Sequence, residues 1–399
     1  MNTEKKFFHS NTAIVTLFAA CFVVLISLGV RQTFGLFFID FNESLNISNT
    51  AFGFAIGTQM LMWGLTGPIF GAIADRFGGH VAIISSFLFY TLGVYFLYSG
   101  PNTGIFFQIH LGLLIGIGLG GTAISIPMSI VGKHFPLSNR TIAMSIVTAV
   151  GSFGYFISPI FTNYSLIEYG WNYTLFLFSL FLVTGLIAAF FVRSPKENEI
   201  VENRSDQSFK EALSEAFKSK SYILLVSGFF VCGFHITLVG THVPKYVIDR
   251  GLEDWTAAAI LSLIGLFNIF GSLLSGYLST KISKKVLLSA IYLLRGFSIA
   301  FFIFTPPSVL SAFIFGASFG FLWLSTVPAT SGIVAHLFGT KYLGLLYGIV
   351  FLSHQIGSFF GAYLGGLFHD LYGSYDYAWY LAILLSIFAA IIHLSLIHI

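Results

Sequence analysis

The sequence predicts an all-α integral membrane protein with twelve transmembrane helices, arranged as two halves of six helices. Three observations predict this fold class: the composition, the spacing of long apolar segments and an internal repeat. Of the 399 residues, 56% are hydrophobic and 9% are charged, whereas soluble domains carry about a quarter charged residues. Because the mean hydropathy of +0.87 belongs to the whole chain, the apolar surface requires a lipid bilayer around it.

Apolar segments long enough to cross about 30 Å of hydrocarbon recur along the chain. Six lie at approximately 13–39, 51–73, 81–99, 104–131, 141–164 and 171–192, and six more at approximately 221–246, 256–279, 286–304, 308–334, 342–367 and 377–397. Residues 193–220 separate the two groups and hold 12 of the 35 charged side chains. The sequence therefore predicts an N-terminal six-helix bundle at 1–192, a charged cytoplasmic linker at 193–220 and a C-terminal six-helix bundle at 221–399.

The basic residues are distributed unequally between the two sides of the predicted membrane. When the chain is threaded alternately from an inside N-terminus, 15 of the 19 Lys and Arg residues fall on one side. The opposite side receives Lys245 and Arg250. This asymmetry is what the positive-inside rule predicts for a protein whose N- and C-termini are both cytoplasmic.

An internal repeat supports the division into two halves. The loop at 71–80, after the second predicted helix, corresponds to 276–285 after the eighth, at an offset of 205 residues. Residues 151–153 in the fifth helix match 357–359 in the eleventh, both reading Gly-Ser-Phe, at an offset of 206 residues. Two separate sequence matches at nearly the same offset predict duplicated halves with the same orientation in the membrane.

The loop at 71–80 places Asp75 and Arg76 between the second and third helices, within the run G-A-I-A-D-R-F-G-G-H. This run resembles the G-x-x-x-D-R-x-G signature that the major facilitator superfamily carries at the same topological position. The resemblance implies that Asp75 and Arg76 act in gating, where they can pair or cap helix ends at the cytoplasmic side. Gly71 is expected to let neighbouring helices approach closely.

Other stretches are similar to the bacterial monocarboxylate-porter-like branch of that superfamily: 134–152, 29–35 in helix one and 351–357 in helix eleven. The resemblance covers essentially the whole chain. It implies a monomeric secondary transporter of the bacterial cytoplasmic membrane that moves a small organic solute, a mono- or dicarboxylate anion, by alternating access, with or without a coupled proton. The alternatives are an exporter of an amphipathic metabolite or siderophore, and a nontransporting membrane sensor with the same fold.

Two arginines lie inside predicted membrane helices, where a charge costs at least about 2.5–3.5 kcal/mol on insertion scales. Arg31, in the outer half of helix one, is the leading candidate for contact with a substrate anion, because a guanidinium can bind a carboxylate through two parallel hydrogen bonds. Its alternative is snorkelling to the outer headgroups. Arg295, in helix nine, is expected to bond helix ends or neighbouring polar groups.

Histidines and amides on helices near the expected pathway complete the candidate site. Imidazole titrates near neutral pH, and His354 beside Gln355 is the leading candidate for proton coupling, with a hydrogen-bonded core histidine as the alternative. Amides and hydroxyls can line a polar cavity or join helices. The candidate substrate-binding residues are Arg31, Gln32, Gln59, His110, His235, Asn268, Trp323, His354 and Gln355.

Several classes of function are disfavoured. The 16 acidic residues fall at helix ends, in loops or in the linker, which disfavours exchange of a proton for a cationic drug. Residues 116–121 formally contain G-x-G-x-x-G, but no strand precedes them, and Gly112, Gly116 and Gly120 are expected to permit close helix packing instead. Cys21 and Cys232 lack disulfide or metal-ligand spacing. With no P-loop and a net charge of +3, we expect no enzyme, metal, cofactor or nucleic-acid partner.

Overall fold

The structure is a computed structural model that describes residues 11–193, 209–339 and 342–396. Lys5, Lys6 and Lys341, most of the charged linker and both ends of the chain lie outside the described residues, so the cytoplasmic placement of the termini stays a prediction. Every regular element among the described residues is helical, and none is a strand. The predicted all-α class is confirmed.

The helices of the first half of the chain follow the predicted apolar segments. They are α1 (Asn11–Gln32), α2 (Phe38–Leu45), α3 (Asn49–Phe77), α4 (Gly79–Ser99), α5 (Ile105–Phe107), α6 (Ile115–Thr122), α7 (Ser125–His134) and α8 (Leu137–Ala189). A 3-10 turn at Phe34–Phe37 lies between α1 and α2, and a π-helical segment at Gln108–Leu114 joins α5 to α6. Within α8, Gly170 has a φ of 77°, which favours glycine and produces a kink between the predicted fifth and sixth segments.

The helices of the second half also follow the predicted segments. They are α9 (Phe209–Lys218), α10 (Lys220–Asp249), α11 (Asp254–Leu278), α12 (Lys284–Phe304), α13 (Val309–Leu322), α14 (Thr326–Phe338), α15 (Leu343–Tyr372) and α16 (Asp376–Leu394). α9 lies at the end of the predicted linker. Ser219 caps the beginning of α10, where its hydroxyl accepts a hydrogen bond from the Tyr222 backbone N–H at 3.3 Å.

Ten spans among the described residues are long and apolar enough to cross a membrane. Asn139–Ala189 is one of these spans, although Gly170 divides it, and the 29-residue helix α3 is not among them. Dividing α8 at Gly170 and adding α3 would give twelve. The number twelve therefore stays a prediction, while the multi-pass membrane character is confirmed.

The described helices form two compact units. One contains the described residues up to Ile47 and from Thr58 to 193, and the other contains Ser48–Gly57 and the described residues from 209 onward. In the first unit α1 packs against α8, and α4 packs against α6 and α8. In the second unit α10 packs against α15, α11 against α13, and α12 against α16.

Glycines at equivalent positions of the repeat permit this packing. A methyl group on Gly151 of α8 would meet the Val24 side chain of α1, and one on Gly357 of α15 would collide with the Phe230 carbonyl of α10. The predicted repeat at 151–153 and 357–359 therefore corresponds to the same helix pair in each unit.

The fourth membrane segment of each half is interrupted, which the sequence analysis did not predict. The continuous segment expected at 104–131 breaks at residues 123–124, between α6 and α7. The one expected at 308–334 breaks at residues 323–325, between α13 and α14. Interrupted membrane helices expose backbone groups that need other partners in the protein.

The glycine expectations have mixed outcomes. Close packing is confirmed at Gly116 and Gly120, where an added methyl group would collide with Gln59 and Thr66 of α3. At Gly71 the expectation is wrong, because among the described residues no neighbouring atom lies within 4 Å of an added methyl group.

Candidate functional site

Arg31 lies in the last turn of α1 and is half-buried. Its Nη2 donates to the Met60 sulfur at 3.1 Å, and its Nη1 donates to the Gln32 side-chain oxygen at 3.5 Å. The guanidinium also hydrogen-bonds to the Tyr155 hydroxyl and lies 5.9 Å from the centre of the Trp63 ring. A thioether is a weak acceptor and a ring face compensates charge only weakly, so these partners leave Arg31 able to bind an anion.

Three buried side chains near Arg31 form what we call the Ser27 cluster: Ser27 of α1, Tyr90 of α4 and Thr122 of α6. The Ser27 and Thr122 hydroxyl oxygens lie 2.7 Å apart, and the Tyr90 hydroxyl donates to the Ser27 carbonyl oxygen at 3.0 Å. Tyr90 lies close enough to Arg31 to interact with it electrostatically. Thr122 also donates to the Gly118 carbonyl oxygen at 2.8 Å, so the hydroxyl groups of the cluster bond to one another and to backbone.

Two other candidates of the first unit are engaged in internal hydrogen bonds. The Gln59 amide donates to the Leu111 carbonyl oxygen at 3.0 Å, and Gln59 is 1% exposed. His110 lies in the π-helical segment, with Nδ1 3.2 Å from the Asn102 side-chain oxygen. The structure therefore brings Gln32 to Arg31. Gln59 instead bonds to the backbone at Leu111, and His110 bonds to Asn102 in the loop before its own helix.

Arg295 of α12 is completely buried. Its Nε and Nη2 donate to the Leu322 carbonyl oxygen at 3.1 and 2.7 Å, and Nη2 also donates to the Trp323 carbonyl oxygen at 2.5 Å. These carbonyls lie at the interruption between α13 and α14, as expected for an arginine that bonds a helix end. Among the residues that the structure describes, Nη1 of Arg295 has no hydrogen-bond partner.

Side chains from three helices surround the thiol of Cys232 on α10. We call Cys232, Tyr292, Arg295, Thr326 and His354 the Cys232 cluster. The Cys232 sulfur lies 3.3 Å from the Thr326 hydroxyl, and the thiol interacts with His354, Tyr292 and Arg295. Cys232 and Arg295 are both 0% exposed.

His354 of α15 lies between two phenylalanine rings, with centroid distances of 5.1 Å to Phe229 and 5.6 Å to Phe351. Its Nδ1 is 3.0 Å from the side-chain oxygen of Gln355. Gln355 is completely buried, and its Nε2 has no hydrogen-bond partner in the described part of the chain. The structure thus keeps the predicted His354 and Gln355 pair together and adds Cys232 to it.

The candidate His235 and a second histidine of the same helix, His242, bond to backbone. His235 Nε2 lies 2.8 Å from the Ala382 carbonyl oxygen, and His242 Nε2 lies 2.7 Å from the Ala362 carbonyl oxygen. Both side chains are at most 1% exposed. In each of them the bonded nitrogen is the donor, so these rings join α10 to α16 and α15.

Asn268 and Trp323 belong to the interruption between α13 and α14. The Asn268 side-chain oxygen accepts from the Leu324 backbone N–H at 3.0 Å. Trp323 is 1% exposed, and its ring packs edge-to-face on Phe319 at a centroid distance of 5.7 Å. Both residues therefore support the broken helix.

The predicted gating residues lie at the end of α3. Asp75 accepts an ion-pair hydrogen bond from Lys133 of α7 at 3.0 Å, not from Arg76. The Arg76 guanidinium lies 5.2 Å from the centre of the Phe77 ring. Lys133 is one of the 15 basic residues that the threading places on the side of the N-terminus.

Sequence reasoning missed the side-chain partners of Arg31. Tyr90, Tyr155 and Met60 lie in apolar segments, and they reach Arg31 only through contacts between distant parts of the chain. A tyrosine inside a membrane segment was the available signal, because its hydroxyl requires a partner there.

Interrupted membrane helices in both units, together with the half-buried Arg31, the buried Arg295 and the polar clusters, define a multi-pass membrane protein built from a duplicated half. The sequence matches the Major Facilitator Superfamily over residues 20–327. The chain belongs to this family, and membrane transport is the general activity that the family supports.

Individual relatives are distant but cover nearly the whole chain. The uncharacterized MFS-type transporter YcxA of Bacillus subtilis is 24% identical over 376 residues, spanning 90% of this chain and 89% of YcxA. Monocarboxylate transporter 13 of Rattus norvegicus is also 24% identical, spanning 90% of this chain and 83% of its own. The crystal structure of a bacterial homologue of the human lysosomal transporter Spinster shares the fold, with a TM-score of 0.72, 16% identity and coverage of 97% and 96% of the two chains.

Proposed function

We propose that the protein is a secondary active transporter that moves a small organic anion, a mono- or dicarboxylate, across the membrane by alternating access. The observation that supports this proposal is the surroundings of Arg31. Among the described residues, Asp75 pairs with Lys133 and Asp249 pairs with Lys245, whereas Arg31 takes part in neither pair. A substrate carboxylate would supply the strong acceptor that Arg31 lacks.

The chemistry of the neighbouring groups fits a carboxylate. A guanidinium presents parallel N–H donors that match two carboxylate oxygens. The Met60 thioether binds Arg31 weakly and can be displaced by a stronger acceptor. The Tyr155 hydroxyl is a further donor within reach of the same charge. Monocarboxylate transporter 13 among the relatives is consistent with this substrate class.

A proton is proposed to accompany the anion, with His354 as its first candidate carrier. His354 is held in one orientation by Gln355 and lies among polar side chains of α10, α12 and α14. Coupled movement of a proton and a monocarboxylate is electrically neutral. We further infer a monomeric unit in a bacterial cytoplasmic membrane, consistent with the Bacillus subtilis relative.

The test is uptake of a labelled panel of mono- and dicarboxylates into proteoliposomes, with and without an imposed pH gradient. Hydrogen bonds to a charged group contribute about 1.5–3 kcal/mol, so Arg31→Ala is expected to lower transport efficiency about 10- to 100-fold. Arg31→Lys keeps the charge but lacks the two parallel N–H donors of the guanidinium, so an intermediate loss of transport efficiency is expected. Arg140→Ala removes an exposed arginine and serves as the matched control.

Normal transport by Arg31→Ala would contradict the proposal that Arg31 binds the substrate anion. If no acid moves in vesicles whose integrity has been verified, the alternative from the sequence, export of an amphipathic metabolite or siderophore, takes its place.

A further inference from the structure

Three lysines lie within five residues where α11 is joined to α12: Lys281, Lys284 and Lys285. We call them the lysine patch. Between Asp254 and Asp370 the sequence contains no acidic residue. Among the described residues, none of the three lysines takes part in an ion pair. Because like charges this close repel one another, the patch is an uncompensated concentration of positive charge at one end of the second unit.

The equivalent loop of the first unit shows how such charge is compensated elsewhere in the molecule. There the Asp75 carboxylate accepts an ion-pair hydrogen bond from Lys133 at 3.0 Å, and Arg76 follows Asp75 directly. At the repeat offset of 205 residues, Asp75 corresponds to Thr280 and Lys133 to Phe338. The second unit therefore lacks both members of the ion pair, and its loop keeps only cations.

Two lysines of the patch are positioned by contacts with other helices. A methyl group on Gly332 would meet the Cε atom of Lys284 at 2.9 Å, so the aliphatic chain of Lys284 lies against α14. The Nζ atom of Lys285 donates to the Leu396 carbonyl oxygen, beyond the end of α16, at 3.1 Å. An ammonium group has three N–H donors, so this single bond leaves Lys285 with donors for an anionic ligand.

Exposed apolar faces of α11 and α12 begin beside the lysine patch. Their side chains recur at helical spacing, which places each set on one face of its helix: Phe270, Leu273, Leu274 and Tyr277 on α11, and Val286, Leu293, Leu294 and Phe297 on α12. Both helices pack against α13 and α14. The Nζ atom of Lys281 lies 5.8 Å from the centre of the Tyr277 ring. The positive charge thus lies at the end of two surfaces that require hydrocarbon around them.

We propose that the lysine patch binds the headgroup of an acidic phospholipid, whose acyl chains lie along the exposed faces of α11 and α12. The positive-inside rule assigns this loop to the cytoplasmic side, where basic pockets between membrane helices bind acidic headgroups. A soluble anion would gain only the charge pairing, which salt screens, whereas a lipid adds apolar contact. The site lies within the second unit, and its occupant is independent of the transported substrate.

The test is lipid binding to the purified protein in a neutral detergent, measured by native mass spectrometry. Phosphatidylglycerol is the acidic probe, and phosphatidylcholine is the zwitterionic reference. A lysine near a membrane surface contributes about fivefold to the affinity for acidic lipid. The triple variant Lys281→Gln, Lys284→Gln and Lys285→Gln is therefore expected to bind phosphatidylglycerol about 100-fold more weakly and phosphatidylcholine unchanged. Lys281→Gln alone changes an exposed side chain, cannot disturb packing, and is expected to lose about fivefold.

The matched control removes three exposed lysines from α9 and the beginning of α10: Lys210→Gln, Lys218→Gln and Lys220→Gln. It lowers the net charge by the same amount and is expected to bind phosphatidylglycerol like the wild type. Because a ligand of the folded state stabilises it by mass action, phosphatidylglycerol is also expected to raise the melting temperature of the wild type and the control, but not of the patch variant.

Three results would overturn this inference. The first is equal affinity of the wild type for the two lipids, and the second is an equal loss of phosphatidylglycerol binding in the patch and control variants. The third is displacement of the bound lipid by millimolar inorganic phosphate, which would identify a site for a soluble anion instead. Failure of carboxylate transport would leave each of these measurements intact, because none of them involves the transported substrate.

Discussion

The two arginines inside the membrane segments differ in what they bind. Arg31 of the first unit is half-buried and meets side chains: a thioether, an amide oxygen, a phenol and an indole ring. Arg295 of the second unit is fully buried and donates three hydrogen bonds to the carbonyls of Leu322 and Trp323.

This difference separates a binding arginine from a structural one. Side chains such as Met60 can rotate away from Arg31, so an arriving anion can replace them. The carbonyls at the interruption between α13 and α14 are fixed parts of the backbone, and inside a membrane they need donors from the protein. Arg295 thus maintains the broken helix.

Removal of each arginine should therefore affect different properties. Arg295→Ala is expected to lower the free energy of unfolding by about 2–6 kcal/mol, because two buried carbonyls lose their donors at about 1–3 kcal/mol each. Arg31→Ala is expected to change it by less than about 1 kcal/mol, since Arg31 is half-buried and its partners are flexible, uncharged side chains. The measurement is thermal unfolding of the purified protein in detergent. Equal melting temperatures for the two variants would contradict the distinction drawn here.

Much of the fold could be predicted from the sequence because long apolar segments and basic loops report directly on the bilayer. The interruptions at 123–124 and 323–325 were missed, because hydropathy averaged over a whole segment does not register backbone geometry. The available signal was Pro127 and Pro328, each of which follows its break by three residues. The expectation of close helix packing at Gly71 was wrong for a related reason. A motif fixes its place in the topology, but only the packed structure shows whether another helix comes close to it.

The candidate site was predictable in part. Arg31, His354 and Gln355 were found because polar groups at membrane depth are costly and therefore noticeable. Cys232 was not, because a thiol in an apolar segment resembles a core residue. Its significance comes from Thr326 and Arg295, which lie more than 60 residues away in sequence.

The comparison of the two units can be sharpened at equivalent glycines. Gly357→Ala places a methyl group against the Phe230 carbonyl, which is backbone and cannot rotate away, so a loss of about 1–3 kcal/mol is expected from overpacking. Gly151→Ala meets the side chains of Val24 and Leu28, which can shift, and a smaller loss is expected. Melting temperatures of the two variants check this order, and the reverse order would show that α10 and α15 are the looser pair.

The smallest expected effect concerns the exposed ion pair at the end of α3. Asp75 is 72% and Lys133 37% exposed, and exposed pairs of this kind contribute about 0.2–1 kcal/mol. A double-mutant cycle with Asp75→Asn and Lys133→Ala is expected to give a coupling energy in that range, whereas Asp75→Asn with Arg76→Gln is expected to give none. Transport rates for the same variants test the gating role: if Asp75 acts through Lys133, either single variant should slow transport as much as the double variant does. Coupling to Arg76 instead would favour the pairing suggested by the sequence motif over the one in the structure.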